Sequence, residues 1–228
     1  MKTRRTFLKH SAAIASGMML GSIAAEAAEL REPGPAGDFW RVLAGRRSVR
    51  KFKPDPVPEA DLTRILDAAR MPPTSGNQQP WKFLVIRDQA KIDRMKEACV
   101  KGYMEKVGTQ EDKKAGTATQ ERSVRNRLAG YFSAPVYIVV LTDNNSEYPT
   151  YNHWDGPMAA GYLMLAARAL GYGTVFITDV IPDSVTKTVL QIPDRFTRVC
   201  ITPLGVPDAW PDSPPKKKLG EFIAYEAL

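Results

Sequence analysis

Two short segments concentrate polar side chains at spacings that suit a bound ligand. Arg46-Arg47-Ser48-Val49-Arg50 sets three guanidiniums and a hydroxyl within five residues. Guanidinium is planar and donates paired, charge-assisted hydrogen bonds, so such a run suits a phosphate. The same run also reads as a solvated basic turn. The second segment is Pro73-Thr74-Ser75-Gly76-Asn77-Gln78-Gln79-Pro80-Trp81. Gly76 lets the backbone approach a flat ligand, and Thr74, Ser75, Asn77 and Gln79 offer donors and acceptors for a heterocycle and a polyol chain. It reads equally as a loop whose Trp81 packs into the core. A further cluster, Lys216-Lys217-Lys218, follows four prolines between positions 207 and 215.

Other chemistries find less support. His10 and His153 are the only histidines among the 228 residues. That excludes a His-rich metal site and leaves His153 alone for a Ser-His-Asp triad, which nothing else supports. Cys99 and Cys200 form no CxxC motif; buried thiols are the default and a disulfide is permitted. The chain carries a formal charge of +7, which falls to +4 once residues 1–27, with Lys2, Arg4, Arg5, Lys9 and Glu26, are set aside. There is no helix-turn-helix signature, RNP-like aromatic motif or zinc-finger spacing, so nucleic acid is not an expected partner. Mean hydropathy is −0.30, and no apolar run reaches the roughly 18–20 residues that span a bilayer.

Residues 3–9, Thr-Arg-Arg-Thr-Phe-Leu-Lys, resemble a twin-arginine export signal. A modestly apolar stretch follows from Ser11 to about Ala25, then small residues suited to cleavage after Ala27 or Ala28. The expectations are a signal peptide over 1–27, recognition by the export machinery and a periplasmic location. The twin-arginine route carries folded proteins, so the leader also favours a cofactor inserted before export.

Residues 28–37 read as a spacer, and 38–228 as one domain whose elements must position the two segments. Asp38 can cap a short helix over 39–44. Glu59–Met71 has apolar residues at Leu62, Ile65, Leu66 and Ala69, a helical spacing stopped by Pro72-Pro73. Strands are expected at 82–86, 135–141, 174–177 and 198–205, the 135–141 run being apolar enough for a sheet centre. Further helices are expected at 91–101, in the second half of the charged 102–130 region, and over the Ala-rich 156–170 stretch. The last residues read as an arm. Mixed helices and strands give an α+β class.

The Arg run and the Thr74–Gln79 segment, about 25 residues apart, resemble the nitroreductase family of FMN enzymes. Ala159–Gly173 resembles that family's central helix ending in Gly-x-Gly. Leu204-Gly205-Val206-Pro207 resembles a Leu-Gly-x-Pro strand end, and Pro215–Leu219 a C-terminal basic motif. The likeness covers about residues 38–223. It implies an α/β sandwich with a central mixed sheet flanked by helices, FMN as cofactor, and a homodimer exchanging its C-terminal arm. It implies that Arg46, Arg47, Ser48 and Arg50 contact FMN, with Lys216 and Lys218 meeting the phosphate. Arg46 and Ser48 would hold the ribityl-phosphate end, and Arg50 would tune the ring. Pro73, Thr74, Ser75, Asn77 and Gln79 would belong to the flavin site, the first four reaching the other subunit's flavin. Asn126 would touch the pyrimidine. Thr178 and Asp179 match the place where a backbone N–H meets flavin N5; many members have Glu-Gly there, and Tyr162 stands where Asn is common. The implied activity is ping-pong transfer, from NAD(P)H or another small donor to a flat acceptor such as a nitroaromatic or quinone. Reductive dehalogenation, flavin fragmentation and a non-enzymatic FMN electron carrier are the alternatives.

Overall fold

The apolar run expected at the sheet centre is there. The computed structural model describes residues 39–106 and 117–227; the leader, the spacer and Asp38 lie outside them. Strand β2 (Val136–Asp143) is buried on both faces along all but its last residue. It lies between β1 (Trp81–Ile86) and β3 (Phe196–Leu204), in the order β1-β2-β3, with both pairings antiparallel. Leu84 and Ile201 both oppose Val139, which fixes the register across the sheet. The parallel component of the expected mixed sheet is a single bridge between Ser48 and Thr174.

Strand side chains alternate between faces, and here the alternation divides the core into two halves. Tyr137, Val139 and Leu141 join Ile92, Met95 and Cys99 of α3 (Gln89–Lys106) and Val124 and Leu128 of α4 (Thr117–Ala129). Val136, Ile138 and Val140 join Leu62 and Ile65 of α2 (Glu59–Ala69) and Ala160, Leu163 and Ala167 of α5 (Asn152–Ala169). The result is the expected sandwich of helices on both faces of a sheet. The two cysteines are free and buried, one in each half. Burial pushes both thiols up to about 12.

Helix α5 begins at Asn152, four residues before the expected start, and runs through Pro157. Proline lacks the N–H that would bond the His153 carbonyl, which is why its presence argues against a helix at this point. Gly156 allows the close approach of α5 to the sheet: a Cβ there would stand 2.4 Å from Val199 and 2.9 Å from Thr142. The opposite side is unusual for a central helix. Trp154, Met158 and Tyr162, four residues apart and so on one face, are exposed, as is Tyr151 one turn earlier.

Two other elements differ from expectation. The stretch Thr174–Ile177 forms no ladder of its own and is held by single bridges, Thr174 to Ser48 and Ile177 to Ile201. Helix α6 (Asp183–Leu190) was not foreseen, because Asp-Ser-Val-Thr-Lys-Thr-Val-Leu is rich in β-branched residues. The chain ends as an arm: residues 208–227 are exposed throughout and contain one 3-10 turn, Leu219–Glu221. Among the described residues no helix is long and apolar enough to cross a membrane.

Candidate functional site

The Arg run follows directly on α1 (Phe39–Gly45) and is extended. Val49 is wholly buried and donates its N–H to the Thr174 carbonyl at 3.0 Å, so its neighbour Arg50 points outward. Arg50 donates from Nε to the Tyr131 hydroxyl at 3.2 Å and from Nη1 to the Ser48 carbonyl at 3.4 Å, with its guanidinium 5.7 Å from the Tyr131 ring centre. Arg47 bonds back to the carbonyls of Ala44 and Arg46, at 2.5 and 2.9 Å, and closes the end of α1. Arg46, Arg47 and Arg50 have no carboxylate within ion-pair distance among the described residues. Arg168, in the last turn of α5, adds a fourth cation. It lies against Gly45 and stacks 3.8 Å from the Trp210 ring centre, with its buried Nε lacking a hydrogen-bond partner. Burial, then the nearby Arg47, hold its guanidinium below the usual arginine range.

This corner is therefore a group of cations satisfied by neutral oxygens or by none. A dianion such as a phosphate monoester suits that donor set, because charge-assisted bonds replace weaker ones. The base of the C-terminal arm reaches the same corner. The Asp208 N–H bonds the Lys51 carbonyl at 3.1 Å, and Phe52 bridges Pro207. Lys216 and Lys218 are exposed, six and eight residues beyond Trp210. Asn126 is exposed on α4, one turn before Gly130, and a Cβ on Gly130 would stand 2.9 Å from the Arg50 carbonyl.

The Thr74–Gln79 segment is attached elsewhere, at the first turn of α5. Gly76, Asn77 and Gln79 all have positive φ, at 57°, 57° and 48°. Such a backbone is held only by strong local bonding. Asp155, buried to 4% exposure, provides it by accepting from Gln78 Nε2 at 2.8 Å and from the Ser75 N–H at 3.4 Å. Gln78 Nε2 also meets the Tyr148 carbonyl at 3.0 Å, and the Tyr148 N–H returns to Gln78 Oε1 at 2.8 Å. Buried Asn152 ties this network to the end of β2 through the Asp143 carbonyl at 2.9 Å. The remaining side chains face outward: the Gln79 N–H donates to Thr74 Oγ at 3.1 Å, and the Gln79 amide to Asn77 Oδ1 at 3.3 Å. Pro73 is exposed, while Thr74 and Ser75 are half-buried. Trp81 is half-buried at the start of β1.

Gln78, Asp155 and Asn152 were not among the expected site residues. A carboxylate in the first turn of an apolar helix was the available signal, because acidic groups are favoured at helix N-termini and a buried one needs donors.

Thr178 and Asp179 follow the Thr174–Ile177 stretch, which connects the Arg corner to the other end of α5. Both are exposed, and neither backbone N–H has an acceptor among the described residues. Thr178 lines a cavity of about 650 Å³ together with Phe176, Asn152, His153, Pro157 and Arg198. Beside it an exposed aromatic row, Tyr148, Tyr151 and Trp154, has ring centres 6.5 and 5.5 Å apart.

A sheet covered by helices on both faces, with an Arg corner and a polar loop at opposite ends of one central helix, is an α+β scaffold with a corner suited to an anion. The sequence model of the nitroreductase family matches residues 43–206, and the chain belongs to that family. Iodotyrosine deiodinase from Thermotoga neapolitana is 29% identical over 191 residues, covering 78% of this chain and 91% of its own. The 5,6-dimethylbenzimidazole synthase of Rhodospirillum rubrum is 28% identical over 184 residues, covering 77% and 84%. The crystal structure of oxidised iodotyrosine deiodinase bound to FMN and 3-iodo-L-tyrosine superposes with a TM-score of 0.65 at 24% identity, covering 84% of this chain and all of that one.

Proposed function

We propose that this protein is an FMN-dependent oxidoreductase that takes electrons from a small donor and reduces a flat acceptor, a nitroaromatic or a quinone. The observation that carries this reading is the Arg46–Arg50 corner, whose guanidiniums meet only neutral oxygens in a chain of the nitroreductase family. FMN, when bound, supplies the two-electron chemistry at its ring. The protein's own groups bind and orient. Arg46 and Ser48, with Lys216 and Lys218 from the arm, hold the phosphate end. Arg50 supplies positive charge beside the pyrimidine edge, where it favours the reduced, anionic ring. Asn126 would lie on the same side, and a free backbone N–H of the Thr178–Asp179 pair would meet the ring nitrogen.

The site is composite in this reading. Asp155 and Arg168 are 13 residues apart on α5, about 20 Å along its axis at 1.5 Å per residue. The Thr74–Gln79 loop and the Arg corner thus sit at opposite ends of one helix. The exposed Trp154–Met158–Tyr162 stripe supports a homodimer in which two α5 helices pack about a two-fold axis. An antiparallel pairing sets the loop of each subunit, with Pro73, Thr74, Ser75, Asn77 and Gln79, beside the Arg corner of its partner. Leu219, Phe222, Ile223 and Tyr225 of the arm are exposed and would be covered by arm exchange.

The aromatic row Tyr148, Tyr151 and Trp154 favours a flat acceptor, since aromatic faces stack. The deiodinase and synthase relatives make dehalogenation and flavin fragmentation the competing reactions. The twin-arginine leader supports export, and a quinol or redox protein then replaces NAD(P)H as donor.

The purified chain is expected to carry flavin absorption bands, and their absence after FMN is added would refute the reading. Arg46→Ala combined with Lys218→Ala is expected to weaken FMN retention at least tenfold, measured by equilibrium dialysis. Unchanged retention would remove these residues from the phosphate site. Anaerobic titration with NADH, NADPH and a quinol identifies the donor.

A further inference from the structure

Arg198 enters the interior from β3 as a charged side chain only 5% exposed. Such a residue must be paired and hydrogen-bonded to be tolerated. Its guanidinium donates to the Ile181 carbonyl at 2.7 Å, the Thr186 hydroxyl at 2.8 Å and the Thr178 carbonyl at 2.5 Å, and its Nε lies 3.3 Å from Asp183. Three of these acceptors anchor it to the start of α6 and the residues before it. Thr186 is fully buried and is itself fixed through its hydroxyl to the Pro182 carbonyl at 3.2 Å. The fourth acceptor, Thr178, stands apart, in the exposed stretch that lines the cavity.

The peptide unit between Thr178 and Asp179 is planar and trans, so its carbonyl and its N–H point in opposite directions. Binding the Thr178 carbonyl from inside aims the Asp179 N–H outward. Two neighbouring contacts keep the unit from turning. Ile177 is bridged to Ile201 of β3 in both directions, at 3.0 and 3.2 Å. The Asp179 carboxylate folds onto the Val180 N–H at 2.9 Å, which keeps the residue's own acidic group engaged away from the free N–H. A cation on the carbonyl also polarises the peptide and strengthens its N–H as a donor.

The geometry points to Arg198 as the positioning residue that presents the Asp179 N–H to the ring nitrogen of the bound flavin. This rests on the FMN reading above. Asp179 bears a side chain, and the buried guanidinium fixes the orientation of the peptide before it by bonding its carbonyl. The expected sign follows from the chemistry of the ring. The oxidised ring nitrogen is an acceptor, and reduction places a hydrogen on it, so an N–H aimed there favours the oxidised form. Without Arg198 that preference weakens, and the peptide is free to turn its carbonyl toward the ring, where it accepts from the reduced form. Both changes raise the midpoint potential, and the loss of charge adds little against them because Asp183, 3.3 Å from the guanidinium, already compensates it.

The test uses the full chain loaded with FMN. Arg198→Met is expected to retain FMN, because Arg46 and Lys218 are untouched, while the oxidised-to-reduced equilibrium shifts tenfold toward reduced. That is about 30 mV upward for a two-electron couple. Arg198→Lys keeps a buried cation and should restore part of the shift. If Arg198→Met does not fold, the Lys variant is read on its own, with a smaller upward shift expected. The nitrogen NMR shift of the flavin N5, in protein loaded with labelled FMN, is expected to move with the potential. A variant that binds FMN with unchanged potential and unchanged N5 shift would overturn the role of Arg198 and leave the FMN reading intact. A wild-type chain that binds no FMN would overturn both.

Discussion

At the C-terminal end of α5 the protein holds cations on carbonyl and hydroxyl oxygens; at the N-terminal end it holds a buried carboxylate on amides. Arg46, Arg47 and Arg50 are half-buried or exposed, and their bonds are few and neutral. Asp155 and Asn152 are buried, and both accept from Gln78 in the loop whose backbone is left-handed at Gly76, Asn77 and Gln79. The first end keeps its bonding capacity for something else, and the second has spent its own on shape. The split site proposed above needs both kinds of end. Charge left uncompensated gives affinity for an anion, and a rigid loop gives the fit. The two therefore respond differently to mutation, stability being carried at one end and binding at the other.

The strongest way to break that contrast is Asp155→Ala. It removes the charged acceptor of Gln78 Nε2, which keeps the Tyr148 carbonyl, and the acceptor of the Ser75 N–H; losing hydrogen bonds to a buried charged group costs about 1.5–3 kcal/mol. Chemical denaturation should show that loss in the ligand-free protein. Asp155→Asn keeps an acceptor oxygen and should lose less. An alanine variant as stable as the parent would show that the loop holds itself, and the contrast would fail. Gly76→Ala comes next. The residue sits at φ 57°, and a Cβ there would stand 2.4 Å from the Tyr148 ring. Left-handed backbone costs a side-chain-bearing residue about 1–2 kcal/mol, and the half-exposed Tyr148 ring can swing aside. Gly76→Asn should recover part of the loss, because Asn tolerates this conformation. Equal losses for Ala and Asn would assign the cost to Tyr148 instead of the backbone.

The two ends also differed in how far they could be read from the residues alone. The Arg run needs only its own order: Val49 is apolar and inward, Arg50 is charged and outward, and extended backbone does the rest. The sheet centre and the helix spacing at Leu62, Ile65 and Ala69 were legible for the same reason, since local periodicity carried them. The Gln78-Gln79 pair was not legible. Identical side chains take opposite roles there because the backbone reverses hand around them, and the partner that selects Gln78 lies 77 residues away in Asp155. Arg198 was hidden because it sits in a strand read by its apolar neighbours, and its acceptors belong to α6, a helix whose β-branched composition concealed it. Local order reports faces, whereas buried polar partnerships are settled by tertiary contacts.

The smallest expected effect on stability belongs to Arg50, and it is the more telling half of the contrast. Arg50→Ala removes the exposed bonds to the Tyr131 hydroxyl at 3.2 Å and the Ser48 carbonyl at 3.4 Å, and a ring contact at 5.7 Å. Surface changes of this kind stay within about 0.5 kcal/mol. The lost charge should be felt by the ligand instead. If Arg50 stands beside the pyrimidine edge as proposed, the reduced flavin loses its stabilisation and the midpoint potential falls, opposite in sign to the change expected for Arg198→Met. The fall should shrink at high salt, because an exposed charge is screened. Ligand-free stability of Arg50→Ala, followed by denaturation, should overlay that of the parent while the potentials diverge. Should Arg50→Ala instead lose as much stability as Asp155→Ala, the Arg corner would be a structural element, and the division of labour along α5 would have to be abandoned.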